Sequence, residues 1–201
     1  MKAKIIIFPV LLLAAGLLSF AAKEKIARCF IAFAGTDQLT AASPDRLPET
    51  SEKLRTLTTD HGEITVTRID GYRVLYNNNK QVPFVNLKVE LSEKGAYEKD
   101  QQGILENLRY LTANSKGMES KDLIETEFNG YKVYGLSRES IEEGSVLGTF
   151  VMFPGDGVTI YFYFNNLKPG YRNFESAEDY RKQRDAFMDA YTKHLANCKD
   201  K

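Results

Sequence analysis

The sequence predicts an α+β domain in which a mostly antiparallel sheet of about six to seven strands packs against two helices. Three observations carry this prediction: segments with a two-residue hydrophobic period, dipeptides typical of hairpin turns, and two segments with helical periodicity. The chain has 201 residues, of which 43% are hydrophobic and 27% charged, as is ordinary for a folded protein. We therefore expect one domain behind a targeting segment.

The N-terminus has the organisation of a signal peptide. Two lysines precede an apolar stretch over residues 5–20, and small residues stand at its end, at Ser19, Ala21 and Ala22. This small-x-small pattern is typical of a signal peptidase site. A competing interpretation is an uncleaved signal anchor, because the stretch approaches the ~18 residues of a spanning helix. Both interpretations predict an extracytoplasmic domain, periplasmic or secreted, with membrane contact only through an uncleaved leader.

Residues 23–53 separate this leader from the first regular hydrophobic pattern. Pro44 and Pro48 stand there among Thr, Ser, Asp and Glu, a composition typical of a linker or extended lead-in. Regular patterning begins near Leu54. We therefore expect a signal peptide over residues 1–22, a lead-in over 23–53 and a single α+β domain over 54–198.

The charge balance argues against nucleic acid as a partner. The chain has 27 basic and 27 acidic residues and no long run of Lys or Arg. Binding to a polyanion depends on cations that neutralise phosphates and release counterions. We therefore expect no nucleic-acid partner.

The first half of the domain is predicted to contain a hairpin, a strand and a helix. Residues 64–69 and 72–76 flank Asp70-Gly71, a dipeptide that suits a two-residue turn. Residues 85–91 alternate apolar and polar side chains, which indicates a strand with one buried face. Over residues 97–114 the period becomes helical. The apolar positions of this helix are Ile104, Leu105, Leu108 and Leu111.

The second half is predicted to contain two more hairpins. Residues 123–128 and 131–136 flank Asn129-Gly130. Residues 148–153 and 158–164 flank the turn sequence Pro-Gly-Asp-Gly. These last two strands are apolar at successive positions, which indicates central strands covered on both faces.

The chain is predicted to end in an amphipathic helix. Ser176, with Asp179 three residues later, resembles a capping box at its start. Its buried stripe is predicted to consist of Tyr180, Phe187, Tyr191, Leu195 and Cys198. We expect both helices to pack on the sheet.

Familiar catalytic signatures are missing from the sequence. It has no nucleophile elbow, no Walker A loop and no complete dinucleotide fingerprint. His194 and Cys198 have the spacing of two zinc ligands, but a structural site needs four ligands and a catalytic site three. Glu125 and Glu127 share a strand face, which is typical of a solvated sheet surface. We therefore assign no catalytic, cofactor-binding or metal-ligating residue and expect a protein that is not an enzyme.

Two cysteines, Cys29 and Cys198, stand near the two ends of the predicted domain. In an oxidising compartment they are candidates for a disulfide that closes nearly the whole domain. The alternative is a pair of free thiols, with Cys198 packed as a small hydrophobe.

Aromatic residues are concentrated in and after the last predicted strand. One interpretation is core, because a helix covers at least one face of that strand in a compact arrangement. The other is a pocket for an apolar or sugar ligand. The candidates for lining it are Tyr161, Tyr163, Tyr171 and Phe174.

The order of these elements resembles that of the PsbP-like group, small extracytoplasmic or lumenal proteins that include lipoproteins and assembly factors. The matching segments are residues 86–90, the helix ending near Leu111, the hairpin over 124–133, the strands through Phe153 and Phe164, and the terminal helix over 180–195. The resemblance implies a non-enzymatic binding or assembly role and transfers no catalytic residue.

These observations predict an exported, non-catalytic binding or assembly module with a protein partner at the cell envelope. The alternative is a small-ligand carrier or enzyme with an aromatic pocket. A structural protein of the cell surface is a third hypothesis.

Overall fold

The architecture is taken from a computed structural model, which describes residues 26–47, 54–79, 82–115, 119, 122–137, 145–166, 174 and 176–199. The predicted signal-cleavage positions Ser19, Ala21 and Ala22 lie outside these residues, as does Tyr171. The strands are β1 (Leu39–Ala41), β2 (Asp45–Arg46), β3 (Leu54–Thr59), β4 (Gly62–Thr67), β5 (Asp70–Asn78), β6 (Pro83–Leu91), β7 (Ile124–Phe128), β8 (Tyr131–Ser137), β9 (Ser145–Gly155) and β10 (Val158–Asn166). The helices are α1 (Tyr97–Ala113) and α2 (Ala177–Lys199), and a short π-helical turn spans Ile26–Phe30.

One antiparallel sheet organises the molecule. Its strands follow the order β1–β5–β6–β10–β9–β8–β7, and β2 pairs with β5 beside this path. The strands β3 and β4 form a separate two-stranded sheet. The predicted fold class is confirmed, since the sheet is antiparallel and carries a mid-chain helix and a C-terminal helix.

The central strand β10 separates two apolar clusters. Phe162 is fully buried, facing α2, and lies opposite Leu87 of β6 and Phe150 of β9. Tyr161, the preceding residue, points to the other face and packs in one cluster with Leu108 of α1. Burying a side chain as large as phenylalanine stabilises the fold by about 1.5–3 kcal/mol. The prediction that β9 and β10 are central strands covered on both faces is confirmed.

Two of the predicted hairpins form at the predicted turns. Asn129 and Gly130 have φ angles of 51° and 80°, and Asp156 and Gly157 have φ angles of 57° and 77°. Two consecutive positive φ angles match the right-handed twist of the flanking strands, and Asn, Asp and Gly tolerate them best. These turns set the registers of β7 with β8 and of β9 with β10.

The predicted hairpin at Asp70-Gly71 is wrong. The strand β4 before it pairs with β3, whereas β5 begins at Asp70 and pairs with β6. The Asp70 carboxylate accepts hydrogen bonds from the Gly71 backbone N–H at 2.9 Å and from Arg46 Nε at 3.1 Å. Asp70 thus marks the crossing of the chain from one sheet to the other.

Part of the expected lead-in belongs to the sheet and the core. Residues 39–41 pair with β5, and Phe30, Phe33 and Leu39 are buried in the cluster under α2. The Tyr76 hydroxyl donates a hydrogen bond to the Phe33 carbonyl oxygen at 3.2 Å. The lead-in was predicted from Pro44, Pro48 and their polar neighbours, whereas Phe30 and Phe33 belong to the mostly apolar run over residues 26–34 that precedes them.

The helices follow the predicted ranges with one difference in the buried stripe. In α1, Leu111 was expected on the apolar face but is 43% exposed, and Thr112 is fully buried instead. Thr112 donates its hydroxyl hydrogen to the Leu108 carbonyl oxygen at 2.8 Å, so its polar group is satisfied inside the helix. At the start of α2, the Ser176 hydroxyl accepts a hydrogen bond from the Asp179 backbone N–H at 3.1 Å, as the capping pattern predicted.

Candidate functional site

A groove with a volume of about 700 Å³ lies between α1 and the strands β8 and β9, and it reaches the last turns of α2. Its apolar surface includes three large side chains from three different elements: Leu105 of α1, Tyr134 of β8 and Phe153 of β9. The Tyr134 and Phe153 rings are 6.2 Å apart between centroids, a separation within the range of aromatic contacts. All three side chains are only partly buried.

The described residues at the rim of the groove are polar, and one of them is charged. Gln101 of α1 and Asn129 of the β7–β8 turn contribute amides, and exposed Lys132 contributes an ammonium group. The period of β8 places Lys132 and Tyr134 on one face of the sheet. A mixed surface of this kind binds a ligand through an apolar anchor and a few orienting polar contacts.

The wall of the groove at the β7–β8 turn is tied to α2. The Asn129 amide nitrogen lies 2.9 Å from Thr192 Oγ1 and 3.1 Å from both the backbone oxygen and a carboxylate oxygen of Asp189. The sequence predicted the turn itself but not these contacts, because they join residues about 60 positions apart.

Three of the four aromatic residues considered as ligand-lining, Tyr161, Tyr163 and Phe174, are not among the described residues that line this groove. Tyr161 is 6% exposed and Phe174 is 2% exposed, and Tyr163 is half-buried and stacked on Tyr161 at 6.1 Å. Phe174 packs between Phe84 and Tyr180 in the cluster under α2. Tyr171 lies outside the described residues. Tyr134 and Phe153, whose rings do line the groove, belong to strands that the sequence predicted. The sequence signal for them was that they alternate with buried positions along those strands.

A buried ionic cluster lies on the α1 side of the sheet, centred on Glu90 of β6. The Glu90 side chain is 5% exposed and contacts three cations: Lys88 at 2.6 Å, Arg55 at 3.3 Å and Arg68 at 3.5 Å. Arg55 also donates a hydrogen bond to the Tyr161 hydroxyl at 2.5 Å. Because Arg55 belongs to β3, the cluster fastens the small sheet to the large one.

The tyrosines of this region stay protonated at neutral pH. Burial raises the pKa of Tyr163 to about 12 and raises the pKa of Tyr161 further above its ordinary value, although Arg55 opposes both shifts. Burial also lowers the pKa of Lys88, against the opposing effect of Glu90. Neutral phenols of this kind donate and accept hydrogen bonds but do not serve as bases near pH 7.

The two cysteines come together at the end of the domain, next to the groove. The Sγ atom of Cys29 lies 3.9 Å from the backbone oxygen of Cys198, and the two half-buried residues are not joined by a disulfide in the structure. They line one small cavity together with Tyr131 and Pro154, two residues that also line the groove. The sequence identified the pair, and only the fold brings its members together.

His194 connects these cysteines but does not complete a metal site. Its Nε2 atom lies 2.9 Å from the Cys29 backbone oxygen and 3.9 Å from Cys198 Sγ. Within the described residues, no group of three or more His, Cys, Asp or Glu side chains is arranged to hold a metal ion. Glu125 and Glu127 are exposed on β7, as expected for a solvated sheet face.

Fold and site together define a class, an antiparallel α+β domain with a helix on each face of its sheet and an open groove beside one of them. Comparison with known proteins finds no matching family model, no matching curated protein and no matching solved structure. None of the helices in the described part of the chain is both long enough and apolar enough to cross a bilayer.

Proposed function

We propose that this protein is an exported, non-catalytic module that binds a segment of a partner protein at the cell envelope. The groove beside α1 carries the proposal, because its apolar floor and polar rim suit a peptide segment with one large apolar anchor side chain. The anchor would pack on Leu105, Tyr134 and Phe153.

The charge of the groove indicates which kind of partner peptide would bind there. Among the described residues that line it, Lys132 carries the charge; its side chain is exposed at the rim, and Glu127 of β7 lies opposite it in the sheet. A carboxylate beside the apolar anchor would complement it, which favours a partner segment that combines an aromatic or aliphatic residue with Asp or Glu. The hydrogen bond from Asn129 to Thr192 holds the turn at this wall of the groove in place. The binding surface is therefore already formed before a partner binds, which lowers the entropic cost of binding.

The shape of the groove favours a peptide over a small molecule. Its volume lies within the range of small-ligand sites, but such sites enclose most of the ligand surface. This groove is open along one side, so a small ligand would keep much of its surface in water. The rival function, a carrier or enzyme for an apolar ligand or a sugar, therefore fits less well.

The leader supports an extracytoplasmic location, with a signal anchor as the alternative. The resemblance to the PsbP-like group is in line with this role, since that group consists of small extracytoplasmic or lumenal proteins, several of them lipoproteins or assembly factors. Export would also bring Cys29 and Cys198 into a compartment where a disulfide between them persists.

Site-specific crosslinking in the native envelope tests the proposal. A photoreactive amino acid is placed at Lys132 and, as the matched control, at Lys182, an exposed lysine on the N-terminal half of α2. We expect position 132 to give one crosslinked partner whose attached peptide contains an apolar residue next to an acidic one. Equal yields at both positions, or none at position 132, would contradict the groove as the binding site.

A synthetic copy of that peptide then gives a quantitative test. Lys132→Glu should weaken its binding about fivefold to tenfold, less at high salt, whereas Lys182→Glu should leave it unchanged. The small-ligand function makes a different prediction. A lipid, sugar or peptidoglycan fragment at a hundred times its Kd would stabilise the protein by about 2.7 kcal/mol in a melting experiment. Such a shift without peptide binding would favour the rival function.

A further inference from the structure

We propose that Cys29 and Cys198 form an intramolecular disulfide that joins the first described turn of the chain to the last helix. The structure holds the thiol of Cys29 against the backbone of Cys198. The fold thus brings together two cysteines that are 169 positions apart in the sequence. The physiological oxidant rests on the proposed export, but the chemistry of the pair does not depend on the groove or its partner.

Three successive contacts align the N-terminal segment with one face of α2. The Tyr191 hydroxyl donates a hydrogen bond to the Phe30 carbonyl oxygen at 2.8 Å. One turn further along α2, His194 Nε2 lies 2.9 Å from the Cys29 carbonyl oxygen. Cys198 follows one turn later, and its backbone oxygen lies 3.9 Å from Cys29 Sγ. The backbone of residues 29 and 30 is therefore held in place before any bond forms between the sulfurs.

The aromatic packing next to the pair makes this alignment rigid. The Phe33 ring contacts Tyr191 and His194 of α2 at 5.5 Å between centroids, and Phe30 and Phe33 are buried in the core. The segment that carries Cys29 is thus anchored in the core beside α2. Pre-organised thiols favour an intramolecular bond over a bond to another molecule because their local concentration is high.

The surroundings of the thiols allow oxidation. Both cysteines are half-buried, so part of each residue is accessible to a small oxidant, and both line one small cavity at the margin of the core. The oxidant class is a disulfide, either a small molecule such as oxidised glutathione or a protein oxidant. One cysteine thiolate attacks a sulfur of that disulfide and releases one thiol. The second cysteine thiolate attacks the resulting mixed disulfide and releases the other thiol.

The thiol–disulfide exchange balances in bonds, electrons and protons. Two S–H bonds of the protein break and one S–S bond forms between Cys29 and Cys198. The two electrons reduce the oxidant disulfide to two thiols, which take up the two protons.

The bridge would act on the unfolded state and on the groove. It closes a loop of 169 residues, which restricts the unfolded chain and so raises the melting temperature. It would also fix the cavity that shares Tyr131 and Pro154 with the groove. Oxidation would therefore lock one end of the proposed binding surface.

The test uses the purified mature chain, fully reduced and then equilibrated with oxidised glutathione. We expect an intact mass lower by two hydrogens, no thiols reactive to alkylation, a monomer on size exclusion, and a melting temperature higher by roughly 10 °C. The controls are the single variants Cys29→Ser and Cys198→Ser. Cys198→Ala is a third variant, which removes the thiol of α2 without introducing a hydroxyl group. These variants should melt at the temperature of the reduced wild type and should not respond to oxidant.

Several outcomes would overturn the inference. They are a stable glutathione adduct on either cysteine in the wild type, a disulfide-linked dimer, or equal melting temperatures for the oxidised and reduced chains. Acid-quenched alkylation of the protein in its native envelope adds a separate readout. If both cysteines are reduced in the native envelope but form the disulfide efficiently in vitro, the proposed export is contradicted. The inference that the two thiols are placed to form a disulfide would then still stand.

Discussion

Replacing Glu90 by Gln tests the account of the buried ionic cluster. The substitution keeps the size and shape of the side chain but removes the negative charge that Lys88, Arg55 and Arg68 surround. The three cations would then share a half-buried region without their common carboxylate. Since Arg55 and Glu90 belong to different sheets, the attachment of β3 and β4 to the large sheet should weaken as well.

The expected loss of unfolding free energy follows from the burial of the partners. Breaking a fully buried ion pair by removing one member costs about 3–5 kcal/mol. Glu90 is 5% exposed, but its partners are 20–32% exposed, so water reduces the cost of removing the carboxylate that they share. We therefore expect a loss of about 3 kcal/mol, which lowers the melting temperature of a domain of this size by roughly 6–12 °C.

Equilibrium unfolding in urea is the suitable assay, with Glu125→Gln as the matched control. Glu125 is an exposed carboxylate on β7, so its substitution should change stability by less than about 0.5 kcal/mol. The loss for Glu90→Gln should persist in about 0.5 M NaCl, because salt screens buried charges far less than exposed ones. Adding Lys88→Met to Glu90→Gln should restore part of the stability by removing one of the uncompensated cations.

Equal stability of the Glu90→Gln and Glu125→Gln variants would refute this reasoning. It would mean that the cations reach water when the carboxylate is removed. A loss that disappears in salt would lead to the same conclusion.

Three further predictions follow from the packing. Gly135→Ala should destabilise the domain by about 1–3 kcal/mol in urea unfolding, because its Cβ would overlap the ring of Phe150 on β9; full stability would show that the ring moves aside easily. Tyr191→Phe should cost about 1 kcal/mol through the lost hydrogen bond to the Phe30 carbonyl oxygen, measured in the same way, and no loss would mean that water replaces the hydroxyl. Stability should fall as pH rises above about 10, because unfolded tyrosines ionise there while burial raises the pKa of Tyr163 to about 12 and keeps it protonated in the folded state. Absorbance at 295 nm should therefore rise together with the loss of circular dichroism, and full ionisation in a folded protein would contradict the burial of these rings.

Local chemistry explains why much of the fold was predictable. The turns at Asn129-Gly130 and Asp156-Gly157 adopt the positive φ angles that their residue types tolerate, and the strands beside them follow. The stripe of α2 was predictable for the same reason, because its periodicity is a property of consecutive residues. Asp70-Gly71 has similar chemistry but opens a strand, since the pairing of β4 with β3 is a choice between distant segments.

The sequence by itself determined the α+β class, the two helices, two of the hairpins, the apolar leader and the presence of a cysteine pair. Only the tertiary structure decided that Cys29 meets Cys198, that Glu90 collects three cations from separate positions, and that Leu105, Tyr134 and Phe153 border one groove. The physical reason is that propensity, turn chemistry and hydrophobic period act within a few residues of the chain. A site arises where strands and helices far apart in sequence are packed together, and that arrangement is set by the sum of many weak contacts.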